Sequence, residues 1–188
     1  RIEALLAQEL PTDQVARVTT TWEGHRGADN ADFHVAVYDF GVKENILQSL
    51  ERCGCRLTIY PAATKAETVL AANPDGIFLS NGPGDPKSLD YAVEEVKKLM
   101  GKKPIFGICM GHQVLALAYG GDTYKMRFGH RGSNHPVKDL ETGRIYITSQ
   151  NHGYAVSEES LNGADVTITH RSVNDGSVEG MRHNTMPI

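Results

Sequence analysis

Cys109 lies between glycines in the segment Gly107–Gln113, which reads Gly-Ile-Cys-Met-Gly-His-Gln. A buried-strand pattern precedes it, and apolar residues at helical spacing follow it. A sharp turn from a strand into a helix needs glycine where the backbone is strained or closely packed, and it exposes the residue at its tip. The adjoining helix N-terminus favours negative charge, so we expect a nucleophilic Cys109 with a lowered thiol pKa. The alternative is a small, buried structural cysteine.

A second glycine-containing segment, Ser80–Pro86, also follows an apolar strand and reads Ser-Asn-Gly-Pro-Gly-Asp-Pro. We call it the glycine-rich loop. Ligand sites in open α/β sheets gather at the carboxyl ends of the strands, so this loop and Cys109 should meet at one edge. Backbone N–H groups of such a loop can stabilise an oxyanion. The alternative is a tight turn without a function.

The elements that must position these loops alternate along the chain. Strands are predicted over 33–38, 56–60, 76–80 and 104–108, and helices over 43–52, 65–72 and 89–100. This alternation indicates βαβ units and a parallel sheet. Beyond Gly121, short strands without intervening helices are predicted over 122–126, 144–149, 165–170 and 177–181. We therefore predict an α/β fold with an open, mostly parallel sheet, helices on both faces and an antiparallel extension.

The first 32 residues differ from the rest. A short helical pattern of apolar residues ends near Leu10, and residues 23–32 have the polar, glycine-containing composition of a linker. We interpret 1–32 as the tail of a preceding domain plus a linker, and 33–188 as the main domain. Because the chain starts at Arg1 and stops at Ile188, we expect both ends to be cuts within a longer protein, with the main domain truncated at its C-terminus.

Composition narrows the function classes. The 188 residues are 40% hydrophobic and carry a formal charge of −4, and no apolar run approaches the roughly 20 residues of a membrane span. Basic residues are scattered, so neither nucleic acid nor membrane is an expected partner. Three cysteines without an export signal favour a cytoplasmic protein, in which Cys53 and Cys55 are structural. Their spacing does not match a common zinc site, and no metal site is predicted.

Two further segments, together with Cys109 and the glycine-rich loop, resemble those of a known protein family. Phe128–Val137 reads Phe-Gly-His-Arg-Gly-Ser-Asn-His-Pro-Val, and Ser149–Tyr154 reads Ser-Gln-Asn-His-Gly-Tyr. With Cys109 and the glycine-rich loop, they make the chain from about residue 33 onward resemble the class I, or triad-type, glutamine amidotransferases. The Gly-x-Cys-x-Gly-x-Gln element is typical of the class. Phe128–Val137 is similar to the branch formed by carbamoyl-phosphate synthetase small subunits.

The resemblance implies a flavodoxin-like fold and a glutaminase reaction. Cys109 would attack the side-chain amide of L-glutamine, form a γ-glutamyl thioester and release ammonia, after which water would free glutamate. The oxyanion would be bound by backbone N–H groups of Gly82, Gly84 and Met110. The resemblance places these residues in the glutamine site: Gly82, Gly84, Met110, Gln113, Asn151, Gly153 and Tyr154.

The resemblance also implies that the histidines of this chain are not the catalytic base. It places the catalytic His and its Glu partner a few residues beyond Ile188, so we expect the fragment to lack both and to hydrolyse glutamine slowly. His130, His135 and His152 are expected to have structural or loop-fixing roles, and His112 no catalytic role.

The implied partner is a large synthetase subunit that consumes ammonia, bicarbonate and ATP. The chain has no Gly-x-x-x-x-Gly-Lys-Ser/Thr loop, so ATP and Mg are expected only on that large partner, and no cofactor is expected here. Three alternatives stay open: the amidotransferase domain of another biosynthetic enzyme, a non-catalytic glutaminase-like binding domain, and a cysteine hydrolase on a similar sheet. Phe128–Val137 argues against the first, and Gln113 and Asn151 argue against the last.

Overall fold

The computed structural model describes residue 2 and residues 12–188, so most of the helical pattern expected near the N-terminus lies outside the described residues. The strands with described bounds are β1 Gly24–Arg26, β2 Phe33–Asp39, β3 Cys55–Pro61, β4 Gly76–Leu79, β5 Ile105–Gly107, β6 Asp122–Asp139, β7 Ile145–Ser157, β8 Val166–Ser172 and β9 Val178–His183. The α-helices within residues 12–188 are α1 Glu44–Arg52, α2 Ala66–Ala71, α3 Asp90–Leu99 and α4 Met110–Ala118.

The first five strands form one sheet in the order β1-β3-β2-β4-β5. β2 pairs in parallel with β3 and β4, and β4 pairs in parallel with β5, whereas β1 runs antiparallel to β3. Helices connect β2 to β3, β3 to β4 and β4 to β5, as crossover connections between parallel strands require. The predicted parallel sheet is confirmed, and its carboxyl edge carries both the glycine-rich loop and the turn at Cys109.

Side chains that alternate along β2 face two different layers. Ala36 and Tyr38 belong to a core that includes residues of α2, α3 and α4. Val37 faces the other way and packs in a core with Leu47 of α1 and Phe78 of β4. Helices therefore cover both faces, as predicted, and each large side chain buried in these layers contributes about 1.5–3 kcal/mol to folding. None of the helices within residues 12–188 has the length and apolarity to cross a membrane.

The antiparallel strands form a second sheet, closed in the order β6-β7-β9-β8. β6 and β7 are 18 and 13 residues long, so the strands predicted over 122–126 and 144–149 were much too short. Their pairing shifts between Lys125 and His130 and again between Gly132 and His135. Gly129 and Gly132 have φ of 69° and 131°, which suits irregular pairing. In a sequence, glycines of this kind indicate a loop, so the predicted strand ended before them.

Residues 12–32 pack onto the parallel sheet. Val15 is fully buried in its core, and β1, within the segment interpreted as a linker, pairs with β3. Arg26 of β1 forms ion pairs of 2.7 and 2.9 Å with Glu44 and Glu51 of α1. The strand β1 was not predicted because its residues are polar: a strand pairs through its backbone and needs no apolar side chain. The domain boundary at residue 33 stays a prediction.

Candidate active site

Cys109 occupies a strained turn between β5 and α4. Its φ of 54° and ψ of −103° lie where residues with a side chain are rarely found. Ile108 N donates a hydrogen bond of 3.0 Å to Leu79 O, which holds this turn against the end of β4. The backbone around Cys109 is therefore fixed in a costly conformation, as is common for residues that act in chemistry.

The glycines on either side of Cys109 are required by close backbone approach. A Cβ on Gly107 would lie 2.6 Å from the carbonyl carbon of Gly111. A Cβ on Gly111 would overlap the carbonyl oxygen of Leu79. The first turn of α4 can thus pack against β4 and β5 only because both positions lack a side chain.

The glycine-rich loop meets Cys109 directly. Gly111 N donates a hydrogen bond of 3.0 Å to Ser80 O, which ties the two segments together. The backbone N–H groups of Gly82 and Met110 lie beside the sulfur of Cys109 and lower its pKa. Two converging N–H donors beside a nucleophile are the arrangement that stabilises an oxyanion. The predicted oxyanion role of Gly84 stays a prediction.

The expectation of a lowered thiol pKa at Cys109 is wrong for this structure. Burial raises the pKa of Cys109 above its ordinary value, and the nearby charge of Glu179 adds to this effect. The N–H groups of Met110 and Gly82 and the charge of Lys43 lower it, but burial prevails. The expectation rested on the helix N-terminus alone, whereas the surroundings of the thiol also exclude water.

Lys43 and Glu179 are charged residues near Cys109 that were not predicted as part of the site. Lys43 precedes α1 at the carboxyl edge of the parallel sheet, where a search for site residues could have included it. Glu179 lies in β9 of the other sheet. No spacing rule within the sequence connects Glu179 with Cys109.

Gln113 and Tyr154 connect the helix behind Cys109 with the antiparallel sheet. Gln113 is 4% exposed, and its Nε2 donates a hydrogen bond of 2.7 Å to Tyr154 O. Burial, the charge of Asp85 and a hydrogen bond to Asp85 raise the pKa of Tyr154. Tyr154 therefore contacts both α4 and the glycine-rich loop, and the three predicted segments meet at one place.

A cavity of about 1300 Å³ lies where these segments meet. The residues predicted for the glutamine site that line it are Gly82, Gly84, Cys109, Gln113, Asn151, Gly153 and Tyr154. Met110 has its side chain buried in the core, so it can contribute only its backbone N–H. Asn151 is exposed and pairs with Arg131 across β6 and β7.

The histidines do not form a hydrogen bond with the nucleophile. Within residues 12–188, none donates or accepts a hydrogen bond with the Cys109 sulfur. Burial, with a smaller effect of His152, lowers the pKa of His112 to about 4, so this ring is neutral near pH 7. His130 hydrogen-bonds to Gln150 and Asp175 in the antiparallel sheet, in keeping with a structural role.

Several relatives of known sequence are named carbamoyl phosphate synthase small chain. The chain is 50% identical over 186 residues to the carbamoyl phosphate synthase small chain of Staphylococcus haemolyticus, covering 99% of this chain and 50% of the relative. For the proteins of that name from Clostridium acetobutylicum and Pasteurella multocida, the identities are 57% and 55%. The alignments cover 82% and 94% of this chain and 44% and 47% of those relatives. The chain thus spans about half the length of these relatives.

Solved structures share the fold. A putative GMP synthase component from Thermoplasma acidophilum superposes with a TM-score of 0.71 at 23% identity, covering 83% of this chain and 80% of that one. A glutamine amidotransferase from Thermotoga maritima gives a TM-score of 0.62 at 15% identity, with 80% and 71% covered. The sequence model of class I glutamine amidotransferases matches residues 36–188. The chain belongs to the class I glutamine amidotransferase family.

Proposed function

We infer that this chain is the glutaminase part of a carbamoyl-phosphate synthetase and hydrolyses L-glutamine to glutamate and ammonia. The observation that carries this function is the position of Cys109: a strained turn opens it to a cavity, and the backbone N–H groups of Gly82 and Met110 lie beside its sulfur. The relatives named carbamoyl phosphate synthase small chain support the choice of this enzyme within the family.

In the proposed reaction the thiolate of Cys109 attacks the side-chain carbonyl carbon of glutamine. The N–H groups of Gly82 and Met110 stabilise the negative oxygen of the tetrahedral intermediate. The carbon–nitrogen bond then breaks, and the nitrogen leaves as ammonia after it takes a proton. Water attacks the resulting γ-glutamyl thioester, and glutamate leaves as the thiol forms again.

Substrate recognition is assigned to the polar groups of the cavity. Gln113 already uses its Nε2 to donate to Tyr154 O, so its Oε1 remains for a donor group of glutamine. Asn151 lines the cavity from β7 and offers both a donor and an acceptor. Gly84 and Gly153 let the substrate approach the backbone closely.

We propose that the base that activates Cys109 is not among the described residues around it. Because no described histidine hydrogen-bonds to the sulfur and burial raises its pKa, we expect residues 1–188 to release ammonia slowly. A triad acts as a unit and loses most of its rate when one member is missing.

The proposed partner is a large synthetase subunit that receives the ammonia and uses bicarbonate, ATP and Mg. No cofactor is assigned to the glutaminase reaction on this chain, and a cytoplasmic location fits its three free cysteines. Co-purification with a subunit of a different biosynthetic enzyme would instead favour another amidotransferase.

The function is tested by measuring glutamate and ammonia from glutamine. The assay compares the 188-residue chain, its Cys109→Ala variant and a polypeptide extended past residue 188. We expect the extended polypeptide to be faster by orders of magnitude and its Cys109→Ala variant to be inactive. Equal rates for the short and extended polypeptides would contradict the proposal that residues 1–188 lack the activating base. Activity in the Cys109→Ala variant would contradict the assignment of Cys109 as the nucleophile. Complete inactivity of the extended polypeptide with its partner present favours a non-catalytic domain.

A further inference from the structure

A group of polar side chains from three strands of the antiparallel sheet meets beside the cavity. His130 lies in β6, Gln150 and His152 in β7, and Glu179 in β9. We call these four residues the histidine cluster. One side-chain nitrogen or oxygen from each of His130, His152 and Glu179 lies within 4.8 Å of those of the other two.

Each histidine of the cluster is anchored through one ring nitrogen. His130 Nε2 lies 2.8 Å from Asp175 Oδ2, and His152 Nδ1 lies 2.8 Å from Tyr154 O. Both anchors are acceptors, so the anchored nitrogen carries a proton. Carboxylate and carbonyl anchors of this kind fix the orientation of metal-binding histidines.

The other ring nitrogens converge on oxygen atoms. His130 Nδ1 lies 2.8 Å and His152 Nε2 lies 3.1 Å from the same atom, Gln150 Oε1. The orientation of this amide is set by its Nε2, which donates to Thr148 Oγ1 at 3.1 Å and to Glu179 Oε2 at 3.2 Å. When a ring is neutral and its anchored nitrogen carries the proton, its other nitrogen presents a lone pair, which is the form that binds a metal ion. Lone pairs and a carboxylate thus face one another, and a cation satisfies them together.

The distances fit a small divalent cation. His130 Nδ1 lies 3.1 Å from Glu179 Oε1, and His152 Nε2 lies 3.9 Å from Glu179 Oε2. Neighbouring ligand atoms of a tetrahedral zinc ion are separated by roughly 3.3 Å, which follows from Zn–N and Zn–O distances of about 2.0–2.1 Å. Imidazole nitrogen and carboxylate oxygen are common zinc ligands. The 3.9 Å separation of His152 and Glu179 would have to shorten for the two groups to share an ion.

The histidine cluster is largely buried but borders the cavity. The side chains of His130, His152 and Glu179 are 8%, 14% and 11% exposed, which favours charge neutralisation within the cluster. Gln150, His152 and Glu179 also line the cavity, which gives an ion a way in. Next to the cluster, both ring nitrogens of His135 are buried and lack a hydrogen-bond partner among the described residues.

We propose that the histidine cluster binds one divalent cation of the zinc type through His130 Nδ1, His152 Nε2 and the carboxylate of Glu179, with Gln150 Oε1 as the fourth ligand. Asp175 is a positioning residue that orients His130. No sequence motif indicates this site because its two histidines and its glutamate are 22 and 27 residues apart along the chain, as the numbers 130, 152 and 179 show. Zinc motifs are recognised by short spacings.

The test uses the metal-free 188-residue chain, treated with a chelator and dialysed. Zn²⁺ is titrated in competition with a chromophoric chelator, and Co²⁺ is added separately as a spectroscopic probe. We expect one ion per chain and a Co²⁺ spectrum of a tetrahedral nitrogen and oxygen site without a thiolate charge-transfer band. Glu179→Gln and His130→Asn should each weaken Zn²⁺ binding by at least about tenfold. His25→Asn in β1 is the matched control and should bind like the unaltered chain.

Several results would overturn the proposal. These are the absence of stoichiometric Zn²⁺ uptake, a thiolate band from Cys109, Cys53 or Cys55 in the Co²⁺ spectrum, and equal affinity of both cluster variants and the unaltered chain. Circular dichroism of the metal-free variants checks that they fold. The Co²⁺ spectrum of the unaltered chain needs no variant, so the proposal stays testable if a substitution prevents folding. Neither readout depends on glutaminase activity.

Discussion

Gln113 and Tyr154 are joined by a hydrogen bond of 2.7 Å from the side-chain amide of one to the backbone carbonyl of the other. Gln113 lies on α4, one turn beyond Cys109, and Tyr154 lies on β7 of the antiparallel sheet. This contact connects the nucleophile's helix with the wall of the cavity. The position of the wall relative to the sulfur therefore depends on a side chain that is almost completely buried.

Replacing Gln113 with Leu should lower both stability and substrate binding. The carbonyl of Tyr154 would lose one of its two donors and keep His152 Nδ1, at a cost of about 0.5–1.5 kcal/mol in the free energy of unfolding. In the extended polypeptide we expect a higher KM for glutamine, because the wall of the site shifts. Urea unfolding and glutaminase kinetics measure the two effects. Gln48→Leu, on the exposed side of α1, is the control and should change neither; equal effects of both substitutions contradict this role of Gln113.

Gly111→Ala should destabilise the protein, since a Cβ at Gly111 would overlap the carbonyl oxygen of Leu79. Overpacking of this kind costs about 1–3 kcal/mol. Gly76 begins β4, and a Cβ there would lie 3.7 Å from Pro104 O, an ordinary contact. Gly76→Ala should therefore change the free energy of unfolding by less than about 0.5 kcal/mol. Two variants of equal stability in urea unfolding would show that the turn does not need close packing.

The parallel sheet and the turn at Cys109 were predictable because their signals are local. β2 to β5 are short apolar runs separated by helical patterns, and Gly107 and Gly111 mark a tight turn in any such sequence. The length of β6 was not predictable in the same way. Its residues around Gly129 and Gly132 are polar and turn-forming, and pairing with β7 decides their conformation.

The pKa of Cys109 and its charged neighbours depend on the assembled fold. Burial depends on residues from both sheets, and Glu179 approaches from β9, 70 residues along the chain as the numbers show. A sequence indicates that a helix begins at Met110, but not how much water the turn excludes. The histidine cluster was likewise not predictable from the sequence, because its residues come from three different strands.

Alkylation of Cys109 should require high pH. Because the pKa of Cys109 is raised, the reactive thiolate should form only as the pH rises above about 8.5, the ordinary value for cysteine. Peptide-resolved mass spectrometry after iodoacetamide treatment across a pH series measures this. Lys43→Met should slow the reaction at any pH below the new pKa, since thiolate fraction falls about tenfold for each pH unit by which the pKa rises. Lys102→Met, at an exposed turn, is the control. A rate that is already maximal near pH 7 contradicts the raised pKa.

Glu95 should make stability depend on pH. Hydrogen bonds from Ala66 N, Lys65 and Lys98 overcome burial and lower the pKa of Glu95 to about 2. Its unfolded pKa is about 4.3, so its contribution is fully present above that pH and is lost as the pH falls towards 2. The free energy of unfolding, measured between pH 7 and 2.5, should show this loss. In Glu95→Gln this free energy should depend less on pH. Glu94→Gln, on the exposed side of α3, should leave the pH dependence unchanged; the same flattening in both variants rules out this role of Glu95.

The most direct measurement of the central claim is covalent trapping at Cys109. A glutamine analogue with a diazoketone in place of the side-chain amide is incubated with the extended polypeptide, and the modified residue is identified by peptide mass spectrometry. We predict one adduct per chain, on Cys109, with loss of glutaminase activity in proportion to labelling and protection by glutamine. An adduct on Cys53 or Cys55, or full activity with Cys109 labelled, contradicts the account.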